Sequence, residues 1–312
     1  MNWLRLIRWN NLLIIIFTQV LVWACVLLPL RRWTDQSLLL DGFHFTLLSL
    51  STVLIAAAGY IINDYFDIKI DAINRPEKVI LENAIHRRSA IIVHAVLNVI
   101  ALFFAGIVAL DAGKWYWMSV QLICTILLFI YSSHFKRMFV VGNVVVALLT
   151  ALTIFTLFVY EPVLWSFGAY APMLHKGPAQ LPNPVWLLAI YTCFAFVLTW
   201  MREIVKDMED HLGDAAEGCV TMPIKWGLKS TAKFVQLLSL FALMPLLIAS
   251  LKVKGILGIY VLFVLSFPLI LWIVYLPKKA TAQHYHLMSR YLKWIMVLGV
   301  GSLLIYYYQA NA

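Results

Sequence analysis

Long apolar runs separated by short polar segments dominate the chain from end to end. Each run holds about 20 apolar residues, which is the length that an α-helix needs to cross the hydrocarbon core of a bilayer. The pattern predicts nine membrane-spanning helices, with the two ends of the chain on opposite sides of the membrane. The predicted spans are 10–30, 44–66, 88–110, 115–133, 139–160, 185–205, 230–250, 256–276 and 289–308.

The composition agrees with a chain that lies largely in lipid. Of its 312 residues 63% are hydrophobic and 12% charged, whereas soluble domains carry roughly 25% charged residues. Because the apolar runs extend along the whole chain, we expect one all-α membrane domain over residues 1–312. The first run is long enough to span a bilayer and lacks a small-residue cleavage pattern, so we expect a retained helix rather than a secretory signal.

The formal charge of +9 reflects membrane orientation in this interpretation. With a cytoplasmic N-terminus, 18 of the 24 Lys and Arg residues fall in inside segments and 6 outside, as the positive-inside rule requires. We therefore expect a multi-pass protein of a cell membrane, of the bacterial inner-membrane type, with no nucleic-acid partner. The Pro- and Gly-containing connection 161–184 falls on the outer side, and we expect an irregular loop there.

Acidic residues concentrate in two segments on the predicted inner side. Of the 15 acids, five lie within 64–82 and six within 203–217. Asn63, Asp67 and Asp71 are four residues apart, so they share one helical face if the second helix continues through them. Oxygen side chains that point the same way repel one another unless a cation is present. Hard oxygen ligands suit Mg²⁺, whose coordination shell is usually completed by water and substrate phosphates.

The second segment repeats this pattern. Asp207, Asp210 and Asp214 fall at positions i, i+3 and i+7 of one helical face, and Glu203 lies one turn earlier. Two acidic faces can hold two metal ions across a diphosphate. The alternative is that each cluster is simply a solvated charged segment, but charges this close to the apolar zone are costly and tend to be functional.

A short basic turn lies between the two acidic segments. Tyr131 ends the fourth span, and Lys136 and Arg137 follow it. A fixed ammonium group here can hold diphosphate oxygens and stabilise them as they leave. The alternative is a juxtamembrane pair that obeys the positive-inside rule, and Arg75 and Arg202 carry the same ambiguity.

At these residues the chain resembles the UbiA superfamily of intramembrane prenyltransferases. NDYFDIKIDAINRP (63–76) resembles the first motif of that family, and KDMEDHLGD (206–214) followed by Thr-Met-Pro-Ile resembles the second. YSSHFKR (131–137) followed by Gly-Asn is similar to the segment between them. The resemblance implies a nine-helix bundle with a central lipid-open cavity, capped by the loops that carry both motifs.

The resemblance also implies an activity, namely Mg²⁺-dependent transfer of a prenyl group from a prenyl diphosphate to an acceptor. The implied metal ligands are Asn63, Asp67, Asp71, Asp207, Asp210 and Asp214. The implied diphosphate contacts are Asn63, Arg75, Tyr131, Lys136, Arg202 and Lys206. The implied catalytic residues are Asp67, Asp71, Asp207, Asp210 and Lys136. Which acids of the second motif contact the metal directly stays open, as do the roles of Asp64 and Glu203.

Within the superfamily, the first motif looks most like the branch that prenylates geranylgeranylglyceryl phosphate. Geranylgeranyl diphosphate and a lipid acceptor are therefore the expected substrates, and an aromatic quinone precursor of the 4-hydroxybenzoate or naphthoate type is the alternative acceptor. A transporter would place its acids near mid-span, whereas these acids lie at helix ends. A non-catalytic scaffold would tolerate Asp71→Asn, and an enzyme would not.

Overall fold

A computed structural model describes residues 2–74, 80–170, 183–278 and 281–311 of the chain. Nine long helices make up most of these residues. No β-strand occurs among these residues. The nine helices in this part of the chain are long and apolar enough to cross a membrane, which confirms the predicted spans. They are α1 Trp9–Arg31, α2 Gly42–Ile73, α3 Arg87–Asp111, α4 Trp115–Ser133, α5 Val141–Val159, α6 Pro184–Ala216, α7 Leu228–Lys252, α8 Ile256–Tyr275 and α9 Ala282–Ala310.

Two helices are much longer than their apolar runs. The second and sixth predicted spans end near residues 66 and 205, but α2 continues to Ile73 and α6 to Ala216. Asn63, Asp67 and Asp71 and residues 203–214 therefore lie on turns of helix rather than in connecting loops. This continuation is the condition under which the motif side chains share one helical face.

The connection after α5 differs in part from the expected irregular loop. Residues Pro162–Tyr170 form a helix, so the prediction is wrong for this stretch. Proline is favourable at the first helical position because its missing N–H would have no partner there. Residues 171–182 lie outside the described part of the chain.

Lipid-facing and inward-facing positions alternate with the helical period. On α3 the exposed side chains are Ile92, Val99 and Phe103, whereas Ala101 and Ala105 are buried. Small buried residues allow membrane helices to approach closely, since apolar burial alone does not drive association in lipid. α6 lies at the centre of the bundle and contacts α2, α5, α7 and α9.

Candidate active site

A central cavity of about 780 Å³ lies between six of the helices, and both acidic motifs line it. Its walls come from α1, α2, α4, α5, α6 and α9. All ten described residues that the sequence singled out for metal or diphosphate binding line this one space: Asn63 and nine others. The nine others are Asp67, Asp71, Tyr131, Lys136, Arg202, Lys206, Asp207, Asp210 and Asp214. The remaining candidate, Arg75, lies outside the described residues.

The first motif is held by direct contacts to neighbouring cations and amides. Asn63 Nδ2 donates a hydrogen bond to Asp67 Oδ2 at 2.7 Å, and the Lys136 ammonium forms an ion pair with the same carboxylate. The Asp67 side chain is only 5% exposed. Burial acts to lower the pKa of Lys136, but the Asp67 carboxylate, Tyr131 and Asp71 together outweigh burial and raise this pKa, so the lysine stays charged.

Asp64, whose role the sequence left open, turns to a different partner. Arg8 Nη2 donates to Asp64 Oδ1 at 2.7 Å, and the Arg8 guanidinium also lies 5.1 Å from the centre of the Tyr60 ring. Arg8 precedes α1, so this ion pair joins the start of the chain to α2. Asp64 is therefore a structural partner of Arg8, although it also lines the cavity.

The second motif is held by α5 and by its own helix. Asn143 Nδ2 donates to Asp207 Oδ2 at 2.8 Å. Glu203 is buried and accepts hydrogen bonds from Arg202 Nη1 at 2.9 Å and Lys206 Nζ at 2.8 Å. Glu203 thus orients two of the cations that the sequence assigned to diphosphate.

The basic turn is fixed against the segment that follows α6. Val220 N–H donates to the Arg137 carbonyl at 2.9 Å, and the Phe139 and Trp226 rings meet edge to face at 5.1 Å. The charge of Lys136 also interacts with that of Asp214. The turn therefore brings one ammonium group near both acidic motifs.

The oxygen side chains of the two motifs suit the site to a divalent cation. In the described part of the chain, no three His, Cys, Asp or Glu side chains already form a metal cluster. The motif oxygens instead lie along two helices that border a common cavity. This arrangement suits Mg²⁺, which retains water and takes few protein ligands beside substrate phosphates.

The rest of the cavity is suited to a hydrocarbon chain. Below the charged end, its walls include Ile55, Leu128, Val146 and Leu149. On α4 the lining residues run from Tyr131 back to Gln121, which corresponds to roughly 15 Å of helix at 1.5 Å per residue. The cavity therefore joins a site for a charged head group to a long apolar channel.

Several residues at the site were not singled out from the sequence. Arg8, Asn11, His286, Arg290 and Lys293 all line the cavity, and His286 Nδ1 lies 2.9 Å from Glu209 Oε1. In the sequence the Arg and Lys residues are indistinguishable from other positive-inside charges. His134 and His211 make local contacts, to Ser133 Oγ and to the Met208 carbonyl respectively.

A membrane bundle that joins an acid-lined charged pocket to an apolar channel defines the class of intramembrane enzymes that act on lipid diphosphates. The chain belongs to the UbiA prenyltransferase family, whose model matches residues 20–297. It is therefore a prenyltransferase and an integral, multi-pass membrane protein.

Similar proteins agree with this assignment. Digeranylgeranylglyceryl phosphate synthase of Methanosphaera stadtmanae is 30% identical over 266 residues, which cover 84% of this chain and 87% of the relative. A solved structure of a digeranylgeranylglyceryl phosphate synthase superposes with a TM-score of 0.65 at 23% identity, covering 99% and 98% of the two chains. A UbiA homologue from Archaeoglobus fulgidus bound to DMAPP and Mg²⁺ gives a TM-score of 0.54 at 16% identity, covering 96% and 99%.

Proposed function

We propose that this prenyltransferase transfers a geranylgeranyl group from geranylgeranyl diphosphate to the free hydroxyl of geranylgeranylglyceryl phosphate and forms an ether. The observation that carries this proposal is the single cavity in which both acidic motifs and Lys136 meet an apolar channel. The similarity to digeranylgeranylglyceryl phosphate synthase supports the choice of acceptor. We further propose that residues 1–312 act as one domain, with the motifs on the cytoplasmic side.

The proposed metal is Mg²⁺, held by Asn63, Asp67 and Asp71 on α2 and by acids of the second motif. When bound, the ion neutralises the diphosphate and favours its departure. The Mg²⁺ in the Archaeoglobus fulgidus homologue supports this assignment. The proposed second-motif ligands are Asp207, Asp210 and Asp214.

The residues of the chain then have distinct roles in the reaction. Lys136, Tyr131 and Arg75, together with Arg202 and Lys206, bind diphosphate oxygens, and Lys136 stabilises the charge that develops as the allylic C–O bond breaks. The diphosphate leaves with the bonding electron pair. The acceptor hydroxyl oxygen donates an electron pair to the allylic carbon, and its proton passes to the released diphosphate. The apolar channel excludes water, which would otherwise capture the allylic cation.

The test is release of diphosphate by purified enzyme supplied with Mg²⁺ and geranylgeranyl diphosphate, with and without geranylgeranylglyceryl phosphate. We expect release that depends on the acceptor and falls at least 100-fold in Asp71→Asn, since removing one catalytic electrostatic group typically costs 10²–10³ in rate. Asp35→Asn, a change outside the cavity, is the matched control. Release that responds only to an aromatic acceptor would contradict the proposed acceptor, and full activity of Asp71→Asn would contradict the proposed metal site.

A further inference from the structure

One face of α9 presents basic side chains to the cavity. His286, Arg290 and Lys293 follow one another at positions i, i+4 and i+7, so they share a helical face, and all three line the cavity. None of them belongs to the acidic motifs or to the basic turn that carries Lys136. The α9 face therefore forms a separate wall of the same site.

Two cations of this wall, Arg290 and Lys293, differ from the others because they lack acidic partners among the described residues, whereas His286 lies beside Glu209. Lys136 pairs with Asp67, Arg8 with Asp64, and Lys206 with Glu203. Within the described residues, neither Arg290 nor Lys293 forms an ion pair. Lys293 Nζ donates to the neutral Asn11 Oδ1 at 2.6 Å, which holds its ammonium between α9 and α1.

Arg202 adds a third positive charge to this wall. Arg202 on α6 lines the same cavity as Arg290 and Lys293 on α9, so all three cations face one space. Arg202 Nη1 is shared with Glu203, but its buried Nε–H has no acceptor among the described residues. Uncompensated positive charge in a membrane protein is costly and is found where it serves a ligand.

We infer that Arg290 and Lys293 form a second anion site that binds the phosphate monoester of the acceptor, and that Arg202, proposed above to bind the diphosphate, is shared by the two sites. This inference rests on the proposed function, in which the acceptor carries its own phosphate in addition to the diphosphate of the donor. A phosphate monoester carries a charge of nearly −2 at neutral pH and offers several strong acceptor oxygens, so it would neutralise this wall and occupy the free donors. The two anion sites would then hold donor and acceptor head groups side by side in one cavity.

The experiment measures acceptor binding separately from turnover. Wild type, Lys293→Gln, Lys293→Arg, Arg290→Gln and the control Lys233→Gln are placed in phosphatidylcholine nanodiscs, which contain no anionic lipid. Gln at position 293 removes the charge but keeps a donor for Asn11, and Lys233 is exposed on α7 outside the cavity. Calorimetric titration gives the Kd for geranylgeranylglyceryl phosphate, for its dephosphorylated alcohol, and for geranylgeranyl diphosphate.

We expect the Kd for geranylgeranylglyceryl phosphate to rise about 10-fold or more in Lys293→Gln and Arg290→Gln, as for loss of a hydrogen bond to a charged group. Lys233→Gln should match wild type, Lys293→Arg should restore binding, and the Kd for geranylgeranyl diphosphate should change less than about twofold. The dephosphorylated alcohol should bind wild type weakly and show no further loss in the variants.

If the Lys293→Gln and Arg290→Gln variants bind both phosphorylated ligands equally more weakly, or bind both as tightly as wild type, the second site is overturned. Wild-type protein that binds the alcohol as tightly as the phosphate would also overturn it. The proposed function is tested by a different result. Wild-type protein that binds the acceptor in this phosphate-dependent way but transfers no prenyl group to it would contradict the proposed reaction. The second anion site would still be supported.

Discussion

Gly142, in the first turn of α5, allows the basic turn to pack directly against that helix. A Cβ atom at this position would lie 2.8 Å from the Phe135 carbonyl oxygen and 3.0 Å from Lys136 Cα. Both neighbours are backbone atoms, so they cannot yield as a flexible side chain would. The next residue, Asn143, bonds to Asp207. Gly142 and Asn143 therefore fix the positions of Lys136 and Asp207 relative to each other.

Gly142→Ala should displace the basic turn and with it the Lys136 ammonium. We expect a loss of about 1–3 kcal/mol of stability from overpacking, seen as a lower Tm, and a raised KM for the prenyl diphosphate. Gly299→Ala on α9 is the matched control, because a Cβ there meets nothing within 4 Å, and alanine is the better helix former. A Gly142→Ala enzyme with wild-type Tm and KM would show that the turn has room to move.

At this scale the sequence predicted the motif residues and missed their partners. Asn63, Asp67 and Asp71 are recognisable because their spacing is local and matches a helical face. The pairs Arg8–Asp64 and Asn143–Asp207 join residues that are far apart in the chain. Which of many juxtamembrane cations reaches the cavity depends on how the helices pack, and spacing along one helix contains no information about that packing.

One face of the α2 helix lines both the charged end of the cavity and its apolar channel. Thr52, Ala56 and Gly59 line the cavity below Asn63 and Asp67, at intervals of three or four residues that keep them on one side of the helix. Gly59 packs against α4, where a Cβ would lie 2.9 Å from both methyl carbons of Leu128. Small residues thus keep the channel open directly below the first motif.

Ala56→Phe should fill part of this channel and shorten it. We expect the ratio of kcat/KM for geranylgeranyl diphosphate to that for geranyl diphosphate to fall at least 10-fold, because an overfilled apolar site costs about 1–3 kcal/mol. Val99→Phe, which adds the same ring to an α3 residue that is 67% exposed, is the control and should leave the ratio unchanged. The two kcat/KM values are compared at fixed acceptor concentration. An unchanged ratio in Ala56→Phe would mean that the prenyl chain follows another route.

Among the secondary-structure elements, the number and order of the helices were the most predictable features, because twenty-residue apolar runs have few alternative structures in lipid. The ends were less predictable. The last turns of α2 and α6 are polar, so hydropathy alone ends the spans early, and only the packing of the bundle around the cavity stabilises these turns as helix. The short helix Pro162–Tyr170 was missed for a related reason, since a run of nine residues is too short to stand out from a loop.

Across the whole molecule, the charged end of the cavity opens on the side that carries the excess of Lys and Arg. Arg5, Lys136 and Lys225 lie on this side, whereas Lys114 and Lys254 lie in connections on the opposite side. Positive loops are retained in the cytoplasm during insertion. The site would therefore draw its charged substrates and Mg²⁺ from the cytoplasm, while the prenyl chains remain in lipid.

Single cysteines at two exposed lysine positions test this orientation. With the four native cysteines replaced by alanine, Lys254→Cys between α7 and α8 should react with a membrane-impermeant maleimide on intact cells. Lys229→Cys at the start of α7 should react only after the cells are opened. Six helices precede Lys229 and seven precede Lys254, so the two residues lie on opposite faces of the membrane. Both variants replace an exposed lysine, one at each end of α7, so the comparison reports which end faces the cell exterior. Labelling of Lys229→Cys in intact cells and protection of Lys254→Cys would reverse the orientation and place the catalytic cavity outside.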